Sequence, residues 1–145
     1  MRIILQRVSQ ASVSVGDQTI AQIGPGLMLL VGIGPSDQPE QARYLAEKIA
    51  HLRIFEDQDG KMNRSLLEVG GEAIVVSQFT LFADTRKGRR PSFTAAAQPA
   101  IAQPLVDQFA AFLTQLGVPT QSGEFGAHML VEILNDGPVT IILER

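Results

Sequence analysis

The run LMLLVGI, Leu27 to Ile33, constrains the fold most. Seven residues with no polar interruption follow the punctuation Gly24-Pro25-Gly26. The run is too short for a buried helix and reads as a central strand. The other elements are placed around it. Ile3–Val8 and Ser12–Val15 read as strands, the second alternating Ser-Val-Ser-Val. After the Gly16-Asp17 turn signal, Gln18–Ile23 reads as another. Ser36 or Asp37 can cap a helix that has Pro39 near its first turn, apolar positions Ala42, Leu45, Ile49 and Leu52, and an end near Arg53. EAIVVSQFTLF gives a strong strand from Ala73 to about Phe79. Pro99 and Pro104 bracket the start of a second helix with Leu105, Phe109, Phe112, Leu113 and Leu116 on its buried face and Gly117 just beyond its end. Val118–Phe125, Met129–Leu134 and Val139–Glu144 read as closing strands, the first weakened by Pro119 and Gly123. The pattern predicts an α+β single domain over residues 1–145, a mostly antiparallel sheet or partly closed β-barrel with two main helices.

Composition removes several function classes. There is no cysteine, so disulfides and thiolate metal sites are excluded. No stretch approaches the roughly 20 apolar residues that span a bilayer. The start, MRIILQRVSQ, has too short an apolar run for a signal peptide. A soluble, cytoplasmic protein without membrane contact is expected. The net charge of −3 argues against an indiscriminate nucleic-acid coat. Charge is nevertheless uneven: Arg86, Lys87, Arg89 and Arg90 cluster in TRKGRRP. That run is either a solvated loop or a phosphate-gripping one, with Gly88 letting the backbone come close.

Most catalytic constellations are missing. GxSxG, HExxH, a P-loop and the dinucleotide fingerprint do not occur. EDQDGKMNRS faintly resembles a calcium loop, but setting Gly60 at the sharp turn puts Leu66 where the bidentate Glu belongs. Gly32-Ile33-Gly34 reads as a bulge or turn, and His51 and His128 stand alone. No metal and no cofactor is called for. Two features remain. Ser77-Gln78-Phe79-Thr80 is a polar strand end, which the pattern alone reads first as structural capping. Asn135–Thr140, NDGPVT, carries the Asp-Gly hairpin signal, yet Pro138 follows at once and removes a donor.

These segments resemble the D-aminoacyl-tRNA deacylases. The likeness runs through MRIILQRVSQASV, LRIFEDQDGKMNRSL, VVSQFTLFAD, KGRRPSF and EFGAHMLVEILNDGPVT, with SQFT at Ser77–Thr80 and GPVT at Gly137–Thr140. It implies hydrolysis of the ester between a D-amino acid and the 3′-terminal ribose of tRNA, by a homodimer. It implies a cis Gly137–Pro138 bond that reaches into the partner's site, holds the α-ammonium and rejects L side chains by a main-chain wall. Glycyl-tRNA, having no side chain to reject, becomes a permitted substrate. Ser77, Gln78, Phe79 and Thr80 would form the catalytic segment, with backbone N–H groups as oxyanion donors and the substrate's 2′-OH assisting water. Arg7 would brace the Gly-Pro element, and Arg86, Lys87, Arg89 and Arg90 would meet tRNA phosphates, with no DNA partner. The rival readings are a non-catalytic module that binds tRNA ends or peptides, and a purely structural dimer module.

Overall fold

The computed structural model describes all residues, 1–145. The central strand is as expected, and its two faces explain its unbroken apolar run. In β3, Gly26–Gly32, residues Leu27, Leu29 and Val31 join a core under the helices, while Met28 joins a second core on the opposite face. β1, Arg2–Val15, runs antiparallel to β3 along Arg2–Val8. Its far half, Ala11–Val15, pairs with β2, Gln18–Ile23. The two strands read at Ile3–Val8 and Ser12–Val15 are therefore one. Exposed Ser9 and Gln10 mark where β1 changes partner, and this polar break mimics a loop in the sequence.

α1, Pro39–His51, packs with α3, Pro99–Gln115, over the larger core through Leu45, Ile49, Phe109 and Leu113. Neither Ser36 nor Asp37 caps α1. The cap is Gln38, whose N–H donates to Gln41 Oε1 at 3.0 Å, because Asp37 is turned back to accept from Gly34 N at 2.6 Å. Pro104 lies inside α3, where it denies the Ala100 carbonyl its helical donor. Ala100 is exposed, so water can serve that oxygen. The turn-rich segment after α1 holds a small hairpin, β4 (Phe55–Glu56) with β5 (Met62–Arg64), and a one-turn helix, α2, Leu66–Val69. Ser65 and Glu68 cap α2 reciprocally, an S-x-x-E signal inside a stretch that otherwise reads as turn.

β6, Glu72–Ser77, lies parallel to β3, and β7, Thr120–Ser122, lies parallel to β6. The expected strand Val118–Phe125 is thus only three residues long. β2 and β7 end the main path of the sheet, from which β8 branches at β1, and a side chain joins the two ends. Gln22 N donates to Gln121 Oε1 at 2.9 Å, and Gln121 Nε2 donates to Gln22 O at 2.6 Å. One amide side chain thus replaces a missing strand in a nearly closed barrel. Both bonds are exposed, so Gln121→Ala should lower unfolding free energy by only about 1 kcal/mol, read from the urea midpoint at unchanged slope. No helix is long and apolar enough to cross a membrane.

The expected break at NDGPVT is not a reversal. β8, Met129–Glu144, runs antiparallel to β1 on both sides of it. Asn135 pairs with Val8 and Thr140 with Gln6, so Asp136–Val139 bulge out opposite Arg7. Both flanks find the same partner strand, and the chain has no need to turn back.

Candidate active site

The strand read as reaching Phe79 stops at Ser77. Gln78 N makes the last bond to β3, to Val31 O at 2.8 Å. The chain then winds into a single 3-10 turn, Phe79–Phe82, closed by Leu81 N to Gln78 O at 3.2 Å and by Ala83 N to Thr80 O at 3.0 Å. In a turn of this kind the first N–H groups, Phe79 and Thr80, have no carbonyl one turn earlier inside the helix. Phe79 and Thr80 are both exposed. The Gln78 side-chain amide donates to Thr80 Oγ1, which occupies the hydroxyl as an acceptor.

Beside this turn opens a cavity of about 720 Å³, lined by Ser77, Gln78 and Phe79 but not by Thr80. Its other walls come from distant segments, among them Phe93, Gln98 at the start of α3, and Phe125 and His128 before β8. Phe79 and Phe93 meet edge to face, with centroids 5.0 Å apart and planes at 76°. Sequence reasoning set His128 aside and did not single out Phe93 or Phe125. All three lie in the stretches KGRRPSF and EFGAHM, which carry the family resemblance but no catalytic pattern of their own.

The bulge Asp136–Val139 is held at its neck and from below. Asn135 Oδ1 accepts from Val139 N at 3.0 Å, and Asn135 Nδ2 donates to Gln6 Oε1 and to Thr140 Oγ1. Arg7, only 4% exposed, donates from Nε to Asp136 O at 3.2 Å and from Nη1 to Ile54 O at 2.6 Å. It also pairs with the Asp136 carboxylate at 3.2 Å. This buried guanidinium thus ties the bulge to the chain just before β4. The Gly137–Pro138 bond is cis, and Gly137 sits at φ +121°, which L side chains rarely adopt. Gly137 and Pro138 are exposed and do not line the cavity of their own chain. Within one copy, then, the structure brings Ser77, Gln78 and Phe79 to a cavity and leaves the Gly-Pro bulge facing outward.

The basic run forms the tip of a loop closed by the Asp84–Ser92 bridge. Its four cations are not equivalent. Arg86 donates from Nε and Nη2 to the two Asp84 carboxylate oxygens, at 2.9 and 2.7 Å. The Arg86 side chain holds the Asp84 carboxyl below its ordinary pKa, and Asp84 raises that of Arg86. Lys87, Arg89 and Arg90 are exposed and have no carboxylate partner. The unneutralised charge of this loop is therefore theirs. No three His, Asp or Glu side chains come together as a metal-binding group.

Known proteins resemble this chain in sequence and fold. A family model described as D-Tyr-tRNA(Tyr) deacylase matches residues 4–144. A D-aminoacyl-tRNA deacylase of Roseiflexus sp. (strain RS-1) is 62% identical over 144 residues, 99% of this chain and 93% of its own length. Another from Thermomicrobium roseum is 62% identical, covering 99% and 94%. A solved structure described as c-Myc DNA Unwinding Element Binding Protein superposes with TM-score 0.93 at 40% identity, over 100% of this chain and 99% of that one. One described as a probable eukaryotic D-amino acid tRNA deacylase has TM-score 0.86 at 21% identity, covering 98% and 97%, and shares the fold. With the family model matched almost end to end and relatives this similar over nearly their whole length, the chain belongs to the D-Tyr-tRNA(Tyr) deacylase family.

Proposed function

We propose that the chain hydrolyses the ester joining a D-amino acid to the 3′-terminal ribose of tRNA. We further propose that it works in the cytoplasm as a homodimer whose Gly137-Pro138 bulges complete each other's sites. One observation carries this reading. A cavity opens beside a turn whose first N–H groups have no helical acceptor, and an exposed main-chain bulge of the same chain lies away from that cavity. β8 supplies a surface for the second copy: its outer edge pairs with nothing, and Leu130, Leu134 and Ile142 are exposed along it.

The chemistry follows from where charge develops. Attack on the ester puts negative charge on the carbonyl oxygen, and the Phe79 and Thr80 N–H groups receive it. Thr80 Oγ1 has no base beside it and already accepts from Gln78, so water is the nucleophile, assisted by the ribose 2′-OH. The partner's Gly137 and Pro138 carbonyls hold the α-ammonium. A D side chain then leaves toward solvent, while an L side chain meets backbone. A hydrophobic pocket separates substrates differing by one methylene only about 10–200-fold, and a fixed main-chain wall can do better. Glycine offers nothing to that wall, so glycyl-tRNA is accepted. Arg7 keeps the wall in place from beneath. Phe79 and Phe93 present aromatic surface where the terminal base arrives.

Incubating the protein with one tRNA charged with D- or L-tyrosine tests the reading. Release of the D-amino acid with the L-ester spared is expected. Binding of both without turnover would mean a tRNA-end module, and neither binding nor turnover a structural one.

The basic loop gives a second expected result. Changing Lys87, Arg89 and Arg90 together to Gln should weaken binding of different tRNAs alike. It should also flatten the salt dependence by roughly 0.7 of a log unit for each phosphate no longer neutralised. Arg86→Gln alone should change the slope less, because Asp84 already engages that guanidinium. An unchanged slope in the triple variant returns the run to a solvated loop. The name of the 40%-identical solved structure makes a DNA unwinding element the ligand of that protein. Here one short basic loop on a chain of net charge −3 favours the small footprint of a tRNA end.

A further inference from the structure

We propose that Arg2 is a positioning residue for hydrolysis: it fixes, from behind, the 3-10 turn whose N–H groups face the ester. This rests on the reading of those groups as oxyanion donors. A turn of four residues has too few internal bonds to hold its own position, so its neighbours must set it. Its front has only the edge of the Phe93 ring and the Gln78 amide against it. Phe79 is 55% exposed and Thr80 is exposed. The rear differs. A Cβ on Gly32 would lie 3.1 Å from both Gln78 O and the Phe82 ring and 3.2 Å from Leu81 Cβ; one on Gly34 would lie 3.4 Å from that ring. Gly32-Ile33-Gly34 is therefore a bare seat, and the turn rests directly on it.

Arg2 clamps the turn onto the seat. It is the cross-strand partner of Gly32 in β3 and of Glu144 in β8, so the three form one row across three strands. Its Nη1 donates to Leu81 O, one of the carbonyls that the end of the turn leaves unpaired. The guanidinium carbon stands 5.0 Å from the Phe82 ring centroid, and Nε pairs with Glu144. One planar cation thus holds a carbonyl near the end of the turn, its last ring and the closing strand together. The donors lie at the other end of the same turn. A tilt there shifts both N–H groups, and a misplacement near 1 Å can cost about 100-fold in rate.

Arg2 does not line the cavity, so its loss should appear in turnover. Arg2→Ala should lower kcat by ~10–30-fold, with KM within ~2-fold and the unfolding midpoint barely moved. Arg2→Lys keeps one donor for Leu81 O but not the planar stack, and should recover part of the rate. The decisive measurement repeats Arg2→Ala in a protein whose Phe79–Thr80 amide is replaced by an ester, which removes the Thr80 donor. Arg2→Ala should then cost less than about half its former fold-change, because one of the two groups it positions is gone. An equal loss in both backgrounds overturns the proposal and leaves the oxyanion reading standing, as does a change confined to KM or to stability. An ester protein as fast as the all-amide one removes the oxyanion reading, and this proposal with it. If Arg2→Ala fails to fold, Arg2→Lys is carried through the same cycle, and a kcat equal to wild type in that variant also overturns the proposal.

Discussion

Replacing the Phe79–Thr80 amide by an ester should slow single-turnover release of a D-amino acid by about 10²–10³-fold, the usual cost of one oxyanion donor. The same position changed by Thr80→Ala should stay within about tenfold of wild type. The contrast separates main chain from side chain at one residue. The ester removes an N–H and keeps the hydroxyl; the alanine does the reverse. A hydroxyl that accepts from Gln78 and has no base beside it is poorly prepared to attack. A folded, tRNA-binding Thr80→Ala protein slowed by ~10⁴-fold would make the side chain the nucleophile. A tRNA ending in 2′-deoxyadenosine, charged at its 3′-OH, should also react poorly, because water then loses its helper.

Gly137→Ala should lower kcat/KM for D-substrates by roughly 10²-fold and shrink the preference over L-substrates. The reason is local. The added Cβ would meet Val139 Cγ2 at 2.8 Å, Arg7 Nη2 at 3.0 Å and Val139 N at 3.1 Å, at a φ of +121°. Val139 is a buried anchor and Arg7 a buried brace, so neither can yield without moving the bulge. The conformational cost is about 1–3 kcal/mol, enough to displace a wall that works by position. β1 and β8 pair on both sides of the bulge, so the sheet should survive. Circular dichroism unchanged with discrimination lost is the expected pair of results. Discrimination as sharp as wild type would mean that the bulge selects nothing.

The legible parts of the fold were those where one physical signal dominates. An unbroken apolar run marked a strand with cores on both faces, and helical spacing of Leu45 and Ile49, and of Leu105, Phe109 and Leu113, marked the two main helices. The misread parts were those where a local signal met a tertiary partner. Asp136-Gly137 is a hairpin signal, but β1 is long enough to pair with both flanks, and the signal became a bulge. Asp37 is a good cap by type, yet it serves Gly34 instead. In the candidate site, the resemblance supplied the motifs, and the residues alone left them open. The cavity walls at Phe93, Phe125 and His128 were hidden because only the folded chain brings those segments together. Arg86 looked like one of four equal cations until Asp84, two residues before it, proved to hold it.

Mixed dimers show whether the bulge of one copy completes the site of the other. One parent carries the Phe79–Thr80 ester, the other Gly137→Ala, and each alone is nearly inactive on D-aminoacyl-tRNA. In a mixed dimer with exchanged bulges, the Gly137→Ala copy keeps intact donors and receives the ester copy's intact bulge, while the opposite site has both defects. Refolding equal amounts together should then restore about a quarter of the wild-type rate, since half of the dimers are mixed and each has one sound site of two. A rate no greater than the average of the two parents would contradict the claim, because it would mean that each bulge serves its own chain.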